Sequence, residues 1–147
     1  MIAEAKKKFD NHEFIRIGSE NLYFENRFDV VTAIQSHHYF DKLTREKAVS
    51  NCFNALKSGG RGIFIYFENT APFSELGKDL MLKRLETFGF REGRTFEDVK
   101  HHSERYNKEF FPLTISEHLN LLRKMNFKVF ELFWHSYMQS GFYAIKK

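Results

Sequence analysis

Two adjacent histidines end an apolar run in the segment FDVVTAIQSHHYFD, residues 28–41. Imidazole can ligate a metal, act as a general base, or accept a hydrogen bond at the end of a buried strand. A metal site needs three or four ligands at compatible positions. The remaining histidines show neither an H-x-x-x-H pattern nor a cysteine-bearing one. The sequence therefore predicts no metal site. It leaves His37 and His38 as strand-end residues that either face a ligand or pack on Tyr39 and Phe40.

Other side chains able to do chemistry follow a second strand or lie in a polar segment. Glu68, at the end of the apolar run RGIFIYFENT, is the best-placed general base. A carboxylate there can equally satisfy neighbouring backbone amides, so Glu68 and His38 are both weak catalytic candidates. The polar segment carries residues that either meet an acidic substrate or form a solvated loop: His101, His102, Arg105, Tyr106 and Lys108.

Length and composition favour one soluble globular domain. The chain has 147 residues, 42% of them hydrophobic, and a single cysteine, Cys52, which excludes an internal disulfide. The N-terminus lacks the apolar core of a signal peptide and no segment suits a membrane span, so we expect a cytoplasmic protein. The net charge of +4 is spread along the chain. An RNA-binding accessory domain would instead need these residues on one face: Lys6 to Lys8, Lys83, Arg84, Arg91 and Arg94.

The first part of the chain predicts helix, strand, loop, strand and helix. Helical spacing of Ile2, Ala5 and Phe9 favours a short helix, and residues 13–19 favour a strand. Residues 19–27 suit a loop or a single helical turn. Residues 28–35 are apolar on both faces, as in a central parallel strand. The following helix has a predicted inward stripe and ends with Lys57 and Gly59; the stripe consists of Leu43, Ala48, Val49, Cys52, Phe53 and Leu56.

The second part predicts strand, helix, polar segment, helix and hairpin. Residues 61–70 read as a buried strand, and residues 73–93 as a helix with Leu76, Leu80 and Leu85 inward. A capping box at Thr114 and Glu117 begins a further helix, and Asn126 suits its left-handed stop. Two alternating segments then predict an antiparallel hairpin, whose aromatic residues are most often core: Trp134, Tyr137 and Phe142. Alternating helices and strands indicate an α/β sheet.

This order of motifs resembles the C-terminal part of class I S-adenosylmethionine-dependent methyltransferases. FDVVTAIQSHHYF resembles that family's fourth strand, and LKSGG resembles the turn before its fifth strand. TISEHLNLLRKMNF, FKVFELFW and GFYAIKK resemble its last helix and hairpin. The last forty residues also resemble carboxy-S-adenosylmethionine synthases, which act in wobble-uridine modification of tRNA. The resemblance implies a truncated Rossmann-like sheet, mostly parallel, with a C-terminal antiparallel hairpin and helices on both faces.

The sequence departs from the family at the cofactor loop. The family's first strand ends in a G-x-G-x-G loop and its second in an acid that grips the ribose, and neither motif is present. The glycines at Gly59, Gly60 and Gly62 follow a helix and precede a strand, which is the reverse of the binding context. We therefore expect a truncated chain that binds cofactor poorly.

The resemblance also implies a site. Ser19, Glu20 and Asn21 would lie in the adenine region. Residues at the end of the next strand would line the methionine end of S-adenosylmethionine: Ala33, Ile34, Gln35 and His38. The insertion 71–113 would form a substrate lid within a single domain.

Two functions follow from these expectations. One is methyl transfer from S-adenosylmethionine to a small molecule or tRNA. The other is a non-enzymatic association module that forms a homodimer through the exposed edge of the strand at residues 28–35.

Overall fold

The computed structural model describes residues 2–147, so Met1, the first residue of the predicted N-terminal helix, lies outside the described residues. Residues 2–147 contain five α-helices and four strands, with single 3-10 turns at Ser19–Asn21 and His37–Tyr39. In chain order the elements are α1 (Ile2–Lys8), β1 (Val30–Ile34), α2 (Lys42–Ala55), β2 (Gly62–Asn69), α3 (Glu75–Arg91), α4 (Phe96–Glu104), α5 (Ile115–Lys124), β3 (Val129–Ser136) and β4 (Gln139–Lys146).

The four strands form one open sheet in the order β1, β2, β4, β3. β1 is parallel to β2, with Val30 opposite Ile63, whereas β4 is antiparallel to both of its neighbours. β1, β2 and β3 therefore point the same way, and their carboxyl ends meet at one edge. This confirms the predicted α/β sheet with a C-terminal antiparallel hairpin, but the sheet is mixed rather than mostly parallel, because only the β1–β2 pairing is parallel. The structure adds that β4 inserts between β2 and β3.

The hydrophobic core lies on one face of the sheet, beneath α2 and α5. Phe64 and Tyr66 of β2 and Phe142 of β4 are fully buried there. Phe64 stacks on Phe127 with ring centroids 5.8 Å apart, and Phe127 follows α5. Further buried side chains of this core come from α2, from its C-cap residue and from α5: Val49, Cys52, Leu56, Leu121 and Leu122. Burial of large apolar side chains against the sheet is the main force that fixes α2 and α5 in place.

The opposite face of the sheet and its β1 edge are more open. Val30 is 53% exposed and Ile34 63% exposed. Odd-numbered residues of β1 and its flanks carry the bonds to β2, since Asp29 accepts from Ile63 and Gln35 donates to Phe67. The alternation of a parallel ladder therefore directs the amide groups of the even-numbered residues away from β2. β1 is an edge strand of the described sheet.

Capping interactions fix the helix ends. The Asp41 carboxylate accepts the Thr44 amide at the start of α2. At α5 both halves of the predicted capping box are present, with Thr114 accepting the Glu117 amide and the Glu117 carboxylate accepting the Thr114 amide. Asn126 has φ of 72°, so the predicted left-handed stop is confirmed.

α2 ends earlier than predicted, at Ala55 rather than beyond Lys57. The Lys57 amide donates to the carbonyl of Phe28 at 2.9 Å, which draws the chain into a bridge beside β1. Lys146 donates to the carbonyls of Asn54 and Leu56 and so satisfies the end of the helix.

The strand predicted at residues 13–19 is wrong. No backbone hydrogen bond joins residues 13–17 to the rest of the described chain, and Ile15 is 40% exposed. A strand exists only where a neighbour completes its ladder, and this segment has no such neighbour. The predicted turn after it is confirmed at Ser19–Asn21.

Three predicted inward leucines are also wrong. Leu43, Leu76 and Leu80 are 77%, 70% and 56% exposed. α3 packs mainly on α4 rather than on the core, with Met81 and Gly89 as its buried residues. Among the hairpin aromatics only Phe142 is fully buried, whereas Trp134 and Tyr137 are 40% and 41% exposed.

The insertion between β2 and α5 leaves and rejoins the sheet at one point. Thr70 and Leu113 form a bridge, and the Ala71 amide donates to the Leu113 carbonyl at 2.8 Å. Part of the predicted polar segment is helical, because α4 begins at a Thr95 cap that accepts the Asp98 amide. The insertion is therefore largely helical, and its first and last residues are hydrogen-bonded to each other.

Candidate functional site at the carboxyl edge of the sheet

Glu68 is the centre of a buried polar cluster where β1 and β2 end. Its side chain is 1% exposed. One carboxylate oxygen accepts the amides of Ser36 and His37, at 3.2 and 2.9 Å. The other accepts the amide of His38 at 2.9 Å and lies 2.7 Å from Nδ1 of the same residue. The carboxylate therefore holds the turn at residues 35–38 by its backbone.

These donors keep Glu68 ionised. Burial alone would raise the pKa of Glu68, but the His38 ring and the His37 amide more than offset burial and hold its pKa below the ordinary value. An ionised carboxylate can only accept, so Nδ1 of His38 carries the proton. In the neutral ring the lone pair is therefore on Nε2, which lies 3.4 Å from the Asn69 amide nitrogen.

His37 joins this turn to the Ser19–Asn21 turn. Nε2 of His37 lies 2.9 Å from Oγ of Ser19, and the Asn51 amide group of α2 donates to the Ser19 carbonyl at 3.2 Å. His37 is 1% exposed, and burial lowers its pKa, so the ring is neutral. The predicted packing of His37 on Phe40 is present, with stacked rings 5.4 Å apart.

The strand-end residues predicted from the resemblance occupy different environments. Ala33 is buried on the core face and Ile34 is exposed at the edge. Gln35 has φ of 48°, a left-handed conformation that turns the chain sharply out of β1. Glu20 accepts from the Asn21 side chain through one carboxylate oxygen, and its other oxygen is buried with no partner among the described residues.

The insertion contacts this cluster at His38. The Phe111 amide donates to the His38 carbonyl at 2.6 Å, and the Phe110 ring lies edge-on to His38 at 6.4 Å. Tyr39 covers the ring at 4.3 Å, so that His38 is only 4% exposed.

The four predicted lid residues lie in or just after α4. His102 packs near Phe110, with ring centroids 6.1 Å apart, and burial lowers its pKa. Arg105 donates to Glu109 at 2.6 Å, and Tyr106 lies edge-on to Phe110. His101 is exposed on α4. None of the four makes a hydrogen bond to the Glu68 cluster among the residues described.

Two buried polar residues near this cluster were missed by the sequence analysis. Arg45 is 2% exposed and donates to the carbonyls of His37, Phe40 and Phe111, which ties α2, the turn and the insertion together. His118 lies on the buried side of α5 against Tyr66, with ring centroids 5.3 Å apart. In the sequence, His118 lies between Ile115 and Leu122 on the apolar stripe of the predicted helix, and this position could have indicated that it is buried. Arg45 gave no such indication, because its acceptors are backbone carbonyls of the turn before α2 and of the insertion.

Two features are absent from residues 2–147. No three His, Cys, Asp or Glu side chains lie close enough together to hold a metal ion. No helix in the same range is long and apolar enough to cross a membrane.

Comparisons with known proteins agree with this geometry. A family described as a methyltransferase domain matches residues 1–60. A solved O-methyltransferase family protein from Burkholderia thailandensis superposes with a TM-score of 0.65 at 14% identity, covering 99% of this chain and 41% of that one. The chain has a class I methyltransferase fold. The resemblance drawn from the sequence is therefore confirmed.

Two further proteins are similar to this chain over part of their own length. A carboxy-S-adenosyl-L-methionine synthase from Staphylococcus epidermidis is 25% identical over 139 residues, which is 93% of this chain and 59% of that protein. A structure of PigF with SAH gives a TM-score of 0.54 at 16% identity, covering 88% of this chain and 33% of the other. The chain thus spans less than two thirds of the length of these relatives.

Proposed function

We propose that this chain contributes to S-adenosylmethionine-dependent methyl transfer, with the turns at residues 19–21 and 35–38 forming part of the cofactor site. One observation carries the proposal: the His37 ring and the Glu68 carboxylate join the two turns at the carboxyl edge of the sheet. In open α/β sheets ligands bind outside the carboxyl ends of the strands. The methyltransferase fold of the relatives supports the same placement.

The available donors and acceptors fit such a cofactor in part. The buried, unpartnered oxygen of Glu20 can accept from a ribose hydroxyl or an adenine amino group. The end of β1 and the turn after it would line the methionine end with Ala33, Ile34 and Gln35. The Ile34 amide points away from β2 and is available, whereas the Gln35 amide already donates to the Phe67 carbonyl. The amides of the turn at 36–38 are already taken by Glu68. When bound, S-adenosylmethionine would supply a methyl group on a positively charged sulfur.

Because no G-x-G-x-G loop is present in this sequence, we propose that the chain alone binds the cofactor weakly. Glu68 acts as a positioning residue that holds the turn. His38 is 4% exposed, because Tyr39 packs on its ring and Phe110 of the insertion 71–113 lies edge-on to it, so it can serve as a general base only if these residues move. Without such a base, methyl transfer to a good nucleophile depends on proximity and orientation. The insertion then acts as the lid over a small-molecule or tRNA acceptor.

S-adenosylhomocysteine tests the proposal directly. A saturable rise in the melting midpoint is expected at roughly millimolar ligand, since binding to the folded state stabilises it. Glu20→Gln should reduce this rise, whereas Glu131→Gln, an exposed strand residue outside the site, should leave it unchanged. Absence of any saturable effect in a cooperatively folding protein would overturn cofactor binding by this chain.

A second candidate is an association module that forms a homodimer. The observation that favours it is the β1 edge, where Val30 and Ile34 are exposed. The backbone amides of the even-numbered β1 residues point outward there and can pair with another strand. An apolar edge strand of this kind readily pairs with another chain. Oligomeric state in solution distinguishes this candidate, as set out in the Discussion.

A further inference from the structure

A cleft of about 600 Å³ lies between the C-terminal half of α3 and the β3–β4 turn. Arg84 and Arg91 line it from the helix, and Tyr137 and Met138 line it from the turn. Leu85 and Phe88 add an apolar wall. No Asp or Glu is among the described residues that line this cleft. The cleft is therefore both positively charged and partly apolar.

The two arginines are available for a ligand. Neither forms an ion pair with any carboxylate within residues 2–147. The Arg84 guanidinium instead lies over the Tyr137 ring, 4.4 Å from its centroid. A planar guanidinium donates to carboxylate or phosphate oxygens in pairs, and its flat face suits an aromatic ring.

The backbone of Tyr137 has a left-handed conformation that favours glycine. Its φ is 61°, in a two-residue turn between β3 and β4. Its hydroxyl donates to the Met81 carbonyl of α3 at 2.6 Å, which locks the ring against the helix. A bulky residue kept at positive φ costs stability, and such positions cluster at functional sites. The turn therefore presents a fixed aromatic surface to the cleft.

The cleft lies at the same edge of the sheet as the proposed cofactor site. β3 ends at Ser136, and β1, β2 and β3 all run toward this edge. The β3–β4 turn is thus adjacent to the end of β2, where Thr70 donates its amide to the Met138 carbonyl at 2.7 Å. The cleft and the turn at residues 35–38 therefore lie at the same edge of the sheet, with the end of β2 between them.

We infer that this cleft binds the acceptor of the proposed methyl transfer, and that the acceptor is a small planar anion, an aromatic carboxylate or aromatic phosphate ester. Arg84 and Arg91 bind the anionic group, and Tyr137 with Phe88 contacts the ring. The inference rests on the proposed function for its catalytic meaning. The binding site itself does not depend on the cofactor.

Phenyl phosphate and benzoate are the probes, with phenol and inorganic phosphate as partial ligands. Backbone amide resonances of the full chain are followed by NMR without S-adenosylhomocysteine. We expect saturable shifts at residues 136–139 and along α3. Arg84→Gln and Arg91→Gln should each weaken binding about tenfold, the usual scale for loss of one charge-assisted contact. Lys83→Gln, which removes a neighbouring charge outside the cleft, should change it less than twofold.

Several results would overturn the inference. These are no saturable shift with either aromatic anion, equal weakening by Lys83→Gln, or inorganic phosphate binding as tightly as phenyl phosphate. Unchanged melting midpoints for the arginine variants verify that they remain folded. The relative affinity of phenyl phosphate and benzoate identifies the preferred anion. Failure of S-adenosylhomocysteine binding, measured separately, would remove the acceptor role while leaving the anion site intact.

Discussion

The Glu68 carboxylate and the His38 ring meet at 2.7 Å, with both side chains almost completely buried. The same carboxylate accepts three successive backbone amides, so it fixes the conformation of the chain after β1. A charge in this position is stable only because it is fully hydrogen-bonded. Glu68 therefore links the two parallel strands at the edge where we place the cofactor.

Replacing this carboxylate should destabilise the fold. Glu68→Gln keeps the shape of the side chain. Its NH2 group, however, is a donor and would face backbone amides of residues 36–38, which are also donors. We expect a loss of roughly 3 kcal/mol in the free energy of unfolding, the scale for breaking a buried, charged hydrogen-bond network. Urea unfolding measures it. Glu131→Gln, on an exposed strand position, should stay within about 0.5 kcal/mol of the wild type. Similar stability of both variants would show that Glu68 does not hold the turn.

His118 should make stability depend on pH. Burial lowers its pKa to about 4, from an ordinary value of 6.5, with Arg45 acting in the same direction and Glu68 opposing it. The unfolded chain binds a proton first as the pH falls. The stabilising contribution is therefore complete above pH 6.5 and is lost between pH 6.5 and about 4. The shift corresponds to about 3 kcal/mol as an upper limit.

His118→Phe tests this contribution. Neither ring nitrogen of His118 has a hydrogen-bond partner among the described residues, and its neighbours Tyr66 and Phe142 are aromatic. Phenylalanine should fit and should flatten the loss of stability between pH 6.5 and 4, apart from the part due to His37. His101→Gln, on the exposed side of α4, should keep the wild-type slope. An unchanged slope in the phenylalanine variant would contradict the prediction.

The Cys52 thiol should react only in the unfolded protein. It is 2% exposed, and burial raises its pKa to about 12. Thiolate is the reactive form, so both access and ionisation oppose alkylation. Iodoacetamide labelling at pH 8 should follow the urea unfolding curve. Rapid labelling of the native protein, at a rate close to that of free cysteine, would mean that α2 opens locally from the core.

We expect self-association through the exposed edge of β1, and positively charged side chains placed on that edge should prevent it. Val30→Lys and Ile34→Lys place cations on exposed positions of the free edge, without touching the bonds to β2. If the wild type is a dimer through this edge, both variants should be monomers by light scattering. Leu43→Lys, equally exposed but on α2, is the matched control. A monomeric wild type at high concentration would exclude the homodimer.

The sequence by itself determined the local features. Apolar runs predicted β1 and β2, the Thr114 and Glu117 spacing predicted the start of α5, and Asn126 its stop. These succeeded because caps and turns depend on a few neighbouring residues. The order of these elements was also sufficient for the family resemblance.

The tertiary structure decided which residues far apart in sequence come into contact. Residues 13–19 have strand-like alternation, yet only a neighbouring strand provides the hydrogen bonds that make one. Leu76 and Leu80 have helical spacing, but α3 turned that face to solvent because it packs on α4. Glu68 accepts amides from residues 30 to 32 positions away, and one acceptor of Arg45 is 66 positions away. His118 is buried against Tyr66 of β2. A local pattern cannot encode such partners, since they meet only when the sheet brings its carboxyl ends together.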